Sequence, residues 1–209
     1  MLIDAAVLAG GRSTRLGSVA KATLHVRGRS LLEHALSAAS SVARTCVVVG
    51  PVEPGLVSSA VFVTREDPPF SGPAAAVAAG VHHLSTNGTS ASDAILVLAC
   101  DMPGIAAQVP ALVDALTTAP SDVDGVISVD ATGHRQPLAC LYRRRALISA
   151  LSRFDADSLD GLSMRKLIEP LNLMSLVAVP GATDDVDTWE DAARLGATDP
   201  TAETEEAAQ

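Results

Sequence analysis

The sequence predicts a single α/β domain of three layers, α/β/α, built on a mostly parallel mixed sheet. Three observations carry this prediction. Aromatic residues make up only 2% of the 209-residue chain while hydrophobic residues reach 48%, so the core is built from Ala, Val, Leu and Ile, which suits a parallel sheet covered on both faces. Apolar runs rich in branched residues recur between turn signals, and helix-like stretches fall between them. The resulting β-α-β-α order implies right-handed crossovers, with ligands at the carboxyl ends of the strands.

Taken in order, the expected strands are residues 2–9, 45–50, 61–64, 94–99, 125–129, 137–142 and 174–179, each a short branched or apolar run between turn formers. The expected helices include 30–42, 73–84 and 108–118. The first of these opens on Ser30 with Glu33 three residues later, the spacing of a capping box. Residues 130–136 separate two strands closely enough for a hairpin-like excursion, so some antiparallel pairing is expected. Residues 85–93, STNGTSASD, read as a polar surface loop, and the sequon at Asn87-Gly88-Thr89 reads as chance. After Gly196 the chain is acidic and lacks large apolar residues, which predicts a domain over 1–196 and a disordered tail over 197–209. No internal repeat is apparent.

Composition also excludes several classes. No apolar run approaches the roughly 20 residues of a membrane span, and the first seven residues contain Asp4 without a basic leader or cleavage site. A cytoplasmic protein is expected. Cys46, Cys100 and Cys140 lie far apart in apolar runs, which predicts buried thiols rather than a disulfide or metal site. The net charge of -9 is concentrated at the end of the chain, where residues 183–209 hold nine acids against Arg194 alone. By contrast, residues 1–29 carry Arg12, Arg15, Lys21, Arg27 and Arg29 against Asp4. That local excess beside glycines fits a small anionic ligand. A nucleic-acid binder would show a broad basic face with stacking aromatics, and this chain has one Trp, one Tyr and three Phe.

Residues 8–21 read LAGGRSTRLGSVAK directly after the first expected strand. Gly10 and Gly11 leave backbone N–H groups bare, so a turn at the strand end can wrap phosphate oxygens. Arg15 and Lys21 can then neutralise the charge. Neither common phosphate loop fits, because Gly17 is followed by Ser18-Val19-Ala20 before Lys21, and because Gly10 and Gly11 are adjacent.

Leu8-Ala9-Gly10-Gly11, Arg15-Leu16-Gly17 and Lys21 resemble the L-A-G-G-x-x-x-R-[ML]-G-x-x-K signature of nucleotidyltransferases of the molybdenum cofactor guanylyltransferase, or MobA-like, type. The resemblance implies a nucleotide-diphospho-sugar transferase-like, Rossmann-like fold. It implies that the glycine loop wraps a nucleoside triphosphate, while Arg15 and Lys21 stabilise its phosphates. The segment LVLACDMP ends an apolar strand on Asp101, matching the family's Mg²⁺-binding aspartate. Residues 185–191, DVDTWED, resemble the family's [ND]-[VI]-[ND]-T-P-E-D sequence, which implies Asp187 as the second metal ligand. A cap for a helix over 189–195 is the other reading of Asp187. Residues 66–73, EDPPFSGP, resemble the segment that contacts base and ribose, so Glu66, Asp67 and Gly72 join the implied nucleotide site. Glu66 or Asp67 would accept from guanine; simple turn chemistry is the alternative. His134-Arg135-Gln136-Pro137-Leu138 resembles the loop near the acceptor, which implies Arg135 as an acceptor contact, with a solvated turn as the alternative.

The chain departs from the family pattern at Ala20, at Ala74-Ala75-Ala76 and at Trp189, and its acids at 185 and 187 also occur in relatives that use CTP. The resemblance implies a Mg²⁺-dependent transfer of GMP from GTP to molybdopterin, giving molybdopterin guanine dinucleotide and pyrophosphate. Arg15, Lys21 and Asp101 are the implied catalytic residues. GTP and molybdopterin are the implied partners, followed by molybdoenzymes or their chaperones, with neither nucleic acid nor membrane involved. The alternatives are a molybdopterin cytidylyltransferase, a transferase acting on a sugar phosphate or phospholactate, and a non-catalytic protein that binds and delivers the nucleotide or cofactor.

Overall fold

A computed structural model describes residues 1–11, 16, 20–52, 56–87 and 92–199. The chain runs β1 (Ile3–Leu8), a 3-10 turn (Lys21–Thr23), β2 (His25–Val26), β3 (Arg29–Ser30), α1 (Leu31–Ser40), β4 (Thr45–Val49), β5 (Phe62–Thr64), α2 (Pro73–Asn87) and β6 (Ala94–Ala99). It continues through α3 (Val109–Thr118), β7 (Gly125–Val129), β8 (Arg135–Arg143), α4 (Arg144–Leu151), α5 (Met164–Ile168), β9 (Leu173–Val177), α6 (Trp189–Leu195) and β10 (Ala197–Thr198).

Seven strands form the main sheet in the order β5-β4-β1-β6-β8-β7-β9. Only β8 runs against its neighbours: it pairs antiparallel with both β6 and β7, whereas the β1–β4, β1–β6, β4–β5 and β7–β9 pairs are parallel. The antiparallel pairing expected around residues 130–136 is therefore the β7–β8 hairpin. Its register shifts between Ile127, which pairs with Cys140, and Ser128, which pairs with Gln136, so residues 137–139 form a bulge without partners on β7. The Tyr142 hydroxyl, fully buried, donates to the Pro137 carbonyl across this bulge at 2.8 Å.

Both faces of the sheet are covered, as its composition requires. Ile3, Ala5 and Val7 of β1 pack on one side with Leu32, Ala35 and Leu36 of α1 and with Leu112 and Leu116 of α3. Ala6 and Leu8 face the other side, against Val77, Val81 and Leu84 of α2, Leu147 of α4 and Leu167 of α5. Alternate residues of one strand thus enter two cores, and the strand reads as a continuous apolar run. The capping box is present as expected: Ser30 Oγ accepts from Glu33 N–H, and Glu33 Oε2 accepts from Ser30 N–H. All three cysteines are buried free thiols. Among the described residues no helix is long and apolar enough to cross a membrane.

Two features differ from expectation. Ala197 and Thr198 pair antiparallel with His25 and Val26, so the ordered fold runs past the boundary expected at 196; the backbone pairs there because Ala197 is buried with Val26, Leu24 and Val186 in a third, smaller core. Residues 200–209 of the expected tail lie outside the described residues. The second feature is a charge cluster at the amino end of β1. Asp4 is fully buried and accepts from Arg44 at 3.2 Å and from Arg144 at 3.4 Å, and Arg144 also donates to Ser92 at 3.0 Å and Ser85 at 2.8 Å.

Candidate active site

The site sits where the sheet's order turns back on itself. β1 leads outward to β4 and β5, and the chain then returns to place β6 on its other side, which leaves a crevice at the carboxyl ends of β1 and β6. A cavity of about 510 Å³ opens there, lined by Leu8, Ala9, Gly10, Gly11, Lys21, Glu66, Gly72, Asp101 and Asp187 among the expected residues. Phe70, Pro73, Ala76, Cys100 and Leu138 also line it.

Backbone contacts fix the glycine turn. Ala9 N–H donates to the Val49 carbonyl at 2.8 Å, and Cys100 N–H donates to the Leu8 carbonyl at 2.9 Å, so the turn leaves β1 between two pinned neighbours. Gly50, the residue after β4, presses on it. Its φ is +145°, and a Cβ there would lie 2.8 Å from Ala9 C and Gly10 N, so only glycine lets the two backbones meet.

Lys21 begins its 3-10 turn with Ala22 buried behind it. Its ammonium donates to Asp101 at 3.1 Å and also to Asp187. Burial works to lower the lysine's pKa, but the two carboxylates outweigh it and raise it above the ordinary value, so the side chain is cationic at neutral pH. Asp185 stands in the same field: burial, then Asp101 and Asp187, push its carboxyl up.

Asp101 and Asp187 are far apart in sequence and are joined through the backbone. Val186 N–H donates to the Asp101 carbonyl at 3.0 Å, and the Val186 side chain is fully buried. Residues 179–187 form a strap, and two further contacts clamp it to the turn after β6. Gln108, fully buried, accepts from Val179 N–H at 2.9 Å, and a Cβ on Gly104 would lie 2.3 Å from the Gly181 carbonyl oxygen. Gly104→Ala must therefore push the strap outward. It is expected to cost about 1–3 kcal/mol of stability, read as a lower midpoint in urea denaturation.

The cap of α6 is Thr188, not Asp187. Thr188 Oγ1 accepts from Asp191 N–H, and Asp191 Oδ2 accepts from Thr188 N–H. The Asp187 carboxylate instead meets Lys21. The Thr188 hydroxyl, then Arg194, hold the Asp191 carboxyl down to about 2, against an ordinary 3.8. A depressed carboxyl stabilises the helix above its unfolded-state value and loses that contribution as pH falls toward the folded one. Trp189, the single tryptophan, is the first residue of α6. Its emission is expected to shift as pH falls from about 4 to 2, ahead of any change in the buried sheet; a tryptophan signal that moves only with global unfolding would remove the cap's separate contribution.

The remaining expected residues are placed as follows. Glu66 is buried; its Oε1 accepts from Phe70 N–H at 2.9 Å, and its Oε2 is buried without a hydrogen-bond partner among the described residues. Asp67 is exposed and lies outside the cavity lining. Arg135 donates to the Leu173 carbonyl at 3.1 Å, toward the edge strand β9, and Leu138 of the same strand reaches the cavity instead. Arg15 lies outside the described residues. Gly50, Gly104 and Gln108 support the site without having been singled out in the sequence. Asp185 was noted there only within the DVDTWED run, with no role of its own.

Asp101 and Asp187 direct oxygens at one cationic centre, the Lys21 ammonium. Two carboxylates with room for water and phosphate form the donor set that Mg²⁺ takes, so the residues present fit such an ion. Among the described residues no three His, Cys, Asp or Glu side chains form a closed metal cage.

The model of the MobA-like NTP transferase domain matches residues 5–175. The chain belongs to the MobA-like NTP transferase family. As a member it is a nucleotidyltransferase, and its relatives agree with that. A molybdenum cofactor guanylyltransferase of Cupriavidus metallidurans is 29% identical over 157 residues, covering 72% of this chain and 73% of that one. The crystal structure of molybdopterin-guanine dinucleotide biosynthesis protein A from Archaeoglobus fulgidus superposes with a TM-score of 0.68 at 21% identity, covering 92% of this family member and 96% of that chain. A nucleotidyl transferase of Methanothermobacter thermautotroptrophicus gives 0.67 at 23% identity, covering 93% and 95%. These two likenesses establish the fold.

Proposed function

We propose that the protein transfers GMP from GTP to the terminal phosphate of molybdopterin, forming molybdopterin guanine dinucleotide and releasing pyrophosphate. One observation carries the reading: Lys21, Asp101 and Asp187 converge in the lining of a cavity that the glycine turn at Gly10 and Gly11 also lines. The likeness to a guanylyltransferase of Cupriavidus metallidurans supports the choice of substrates.

No protein nucleophile is needed, because the acceptor phosphate attacks the α-phosphorus and pyrophosphate leaves. The chain's task is to position both partners and to stabilise charge on the phosphoryl oxygens. The amides of Gly10 and Gly11 face the triphosphate, with Arg15 bracing its outer phosphates and Lys21 its α-phosphate or the acceptor's. Asp101 and Asp187 would hold Mg²⁺, which supplies Lewis-acid stabilisation of the same oxygens. Glu66 favours guanine: its Oε2, without a partner among the described residues, needs a donor, and guanine N1–H and its amino group are donors. Arg135 is assigned to the acceptor by the motif alone. The cytoplasm is the compartment proposed for the reaction, with molybdoenzymes or their chaperones as the proposed recipients of the product.

Incubation with Mg²⁺, molybdopterin and each of GTP, CTP and ATP tests the reading. Molybdopterin guanine dinucleotide from GTP alone is the expected product. A cytosine dinucleotide would reassign the base, and no product with any nucleotide would remove the activity.

A further inference from the structure

Val186 stands between two acids, Asp185 and Asp187, on the strap that follows β9, yet its side chain is fully buried. The Asp187 carboxylate meets Lys21, and that of Asp185 lies in the field of Asp101 and Asp187. The valine between them enters the third core instead, together with Leu16, Leu24 and Leu31.

That small core reaches every charged group of the site. On one side, Val186 N–H donates to the Asp101 carbonyl at 3.0 Å, and Asp187 is the next residue of the chain. On the other, the fully buried Leu24 donates its N–H to the Lys21 carbonyl at 3.1 Å, and its own carbonyl accepts from Leu31 N–H at 2.8 Å. Lys21, Asp101 and Asp187 come from three distant parts of the chain. Each is joined by one peptide or hydrogen bond to a residue of this core. Leu16, fully buried in it, belongs to the glycine-rich run 8–21.

Repulsion among the carboxylates of Asp101, Asp185 and Asp187 works to lift the strap from the turn after β6, and Lys21 works against it. An apolar anchor is indifferent to charge, and a branched side chain with a stiff χ1 makes a rigid one.

We infer that Val186 is a positioning residue of the site, the pin by which the third core fixes Asp187 against Asp101 and the Lys21 turn. The inference rests on the metal role proposed above for the two acids and deepens it. Being fully buried, Val186 acts through these groups rather than on the substrate.

Mn²⁺ titration followed by electron paramagnetic resonance tests this on the full chain. Val186→Ala is expected to weaken Mn²⁺ about tenfold, the scale seen for residues that orient metal ligands. It should also lower kcat for pyrophosphate release more than it raises KM for GTP. Val26→Ala is the control: it takes the same two carbons from the same core, on β2, and should lower the urea midpoint while Mn²⁺ affinity stays at the wild-type value. Should Val186→Ala fail to fold, Val186→Thr, which keeps the side-chain shape, replaces it with the same direction expected. Wild-type Mn²⁺ affinity in the Val186 variant would overturn the inference, and so would an equal loss in Val26→Ala, which would mark general loosening. A wild-type protein that binds no Mn²⁺ would instead remove the metal role proposed for Asp101 and Asp187, and the inference with it.

Discussion

Lys21→Ala is expected to lower turnover by at least about 100-fold, the scale seen when a single preorganised donor to a developing oxyanion is removed. The geometry makes the loss a matter of rate more than of substrate affinity. Lys21 is fixed by its turn, with Ala22 buried beneath it, and its ammonium is held cationic by Asp101 and Asp187. A charge preorganised in this way acts most strongly when negative charge grows on the phosphoryl oxygens, so kcat should fall more than KM rises. Pyrophosphate release measures the first quantity, and its dependence on GTP measures the second. Direct Mn²⁺ binding separates the lysine from the acids, because removing the cation they share should leave metal affinity intact or increased. A near-normal rate would take the lysine out of the mechanism.

Asp4→Ala should destabilise the protein by about 3–5 kcal/mol, the range for removing one partner of a buried ion pair. Asp4 is fully enclosed, and the Arg144 side chain beside it is 10% exposed. Loss of the carboxylate leaves that guanidinium, among the described residues, with the hydroxyls of Ser85 and Ser92 as partners. Against a typical domain stability of about 5–15 kcal/mol the effect is large. Urea unfolding followed by far-UV circular dichroism would read it as a lower midpoint with little change in slope. Replacing both partners, Asp4→Leu with Arg144→Met, should recover much of the loss, since no buried charge is then stranded. A single variant as stable as the wild type would show that the cluster contributes nothing to folding.

Much of the architecture was legible because the signals are local. Strands β6 and β7 match their expected bounds, since Asp93 and Ala99-Cys100-Asp101 punctuate one and Asp124 and Asp130 the other. Helix α4 was not legible: it follows β8 directly, its cap position is Arg143 without a side-chain bond, and its first residues are basic. The strands β2, β3 and β10 are two residues each and too short for any periodicity. In the site, Lys21, Asp101 and Asp187, named from the resemblance, are brought together in one cavity lining. Gly104 and Gln108 were not legible, because their roles are tertiary: one admits the Gly181 carbonyl, and the other receives the Val179 amide. The preference between Glu66 and Asp67 was likewise beyond the sequence, where two adjacent acids look alike, and burial separates them.

The path of the polypeptide carries one more consequence. Asp187 follows the last strand of the large sheet, and its strap is bolted on through the Asp101 carbonyl and Gln108. During synthesis the sheet can therefore be finished before Asp187 is in place. On the role proposed for Asp187, competence arrives last, once the body of the fold is already built.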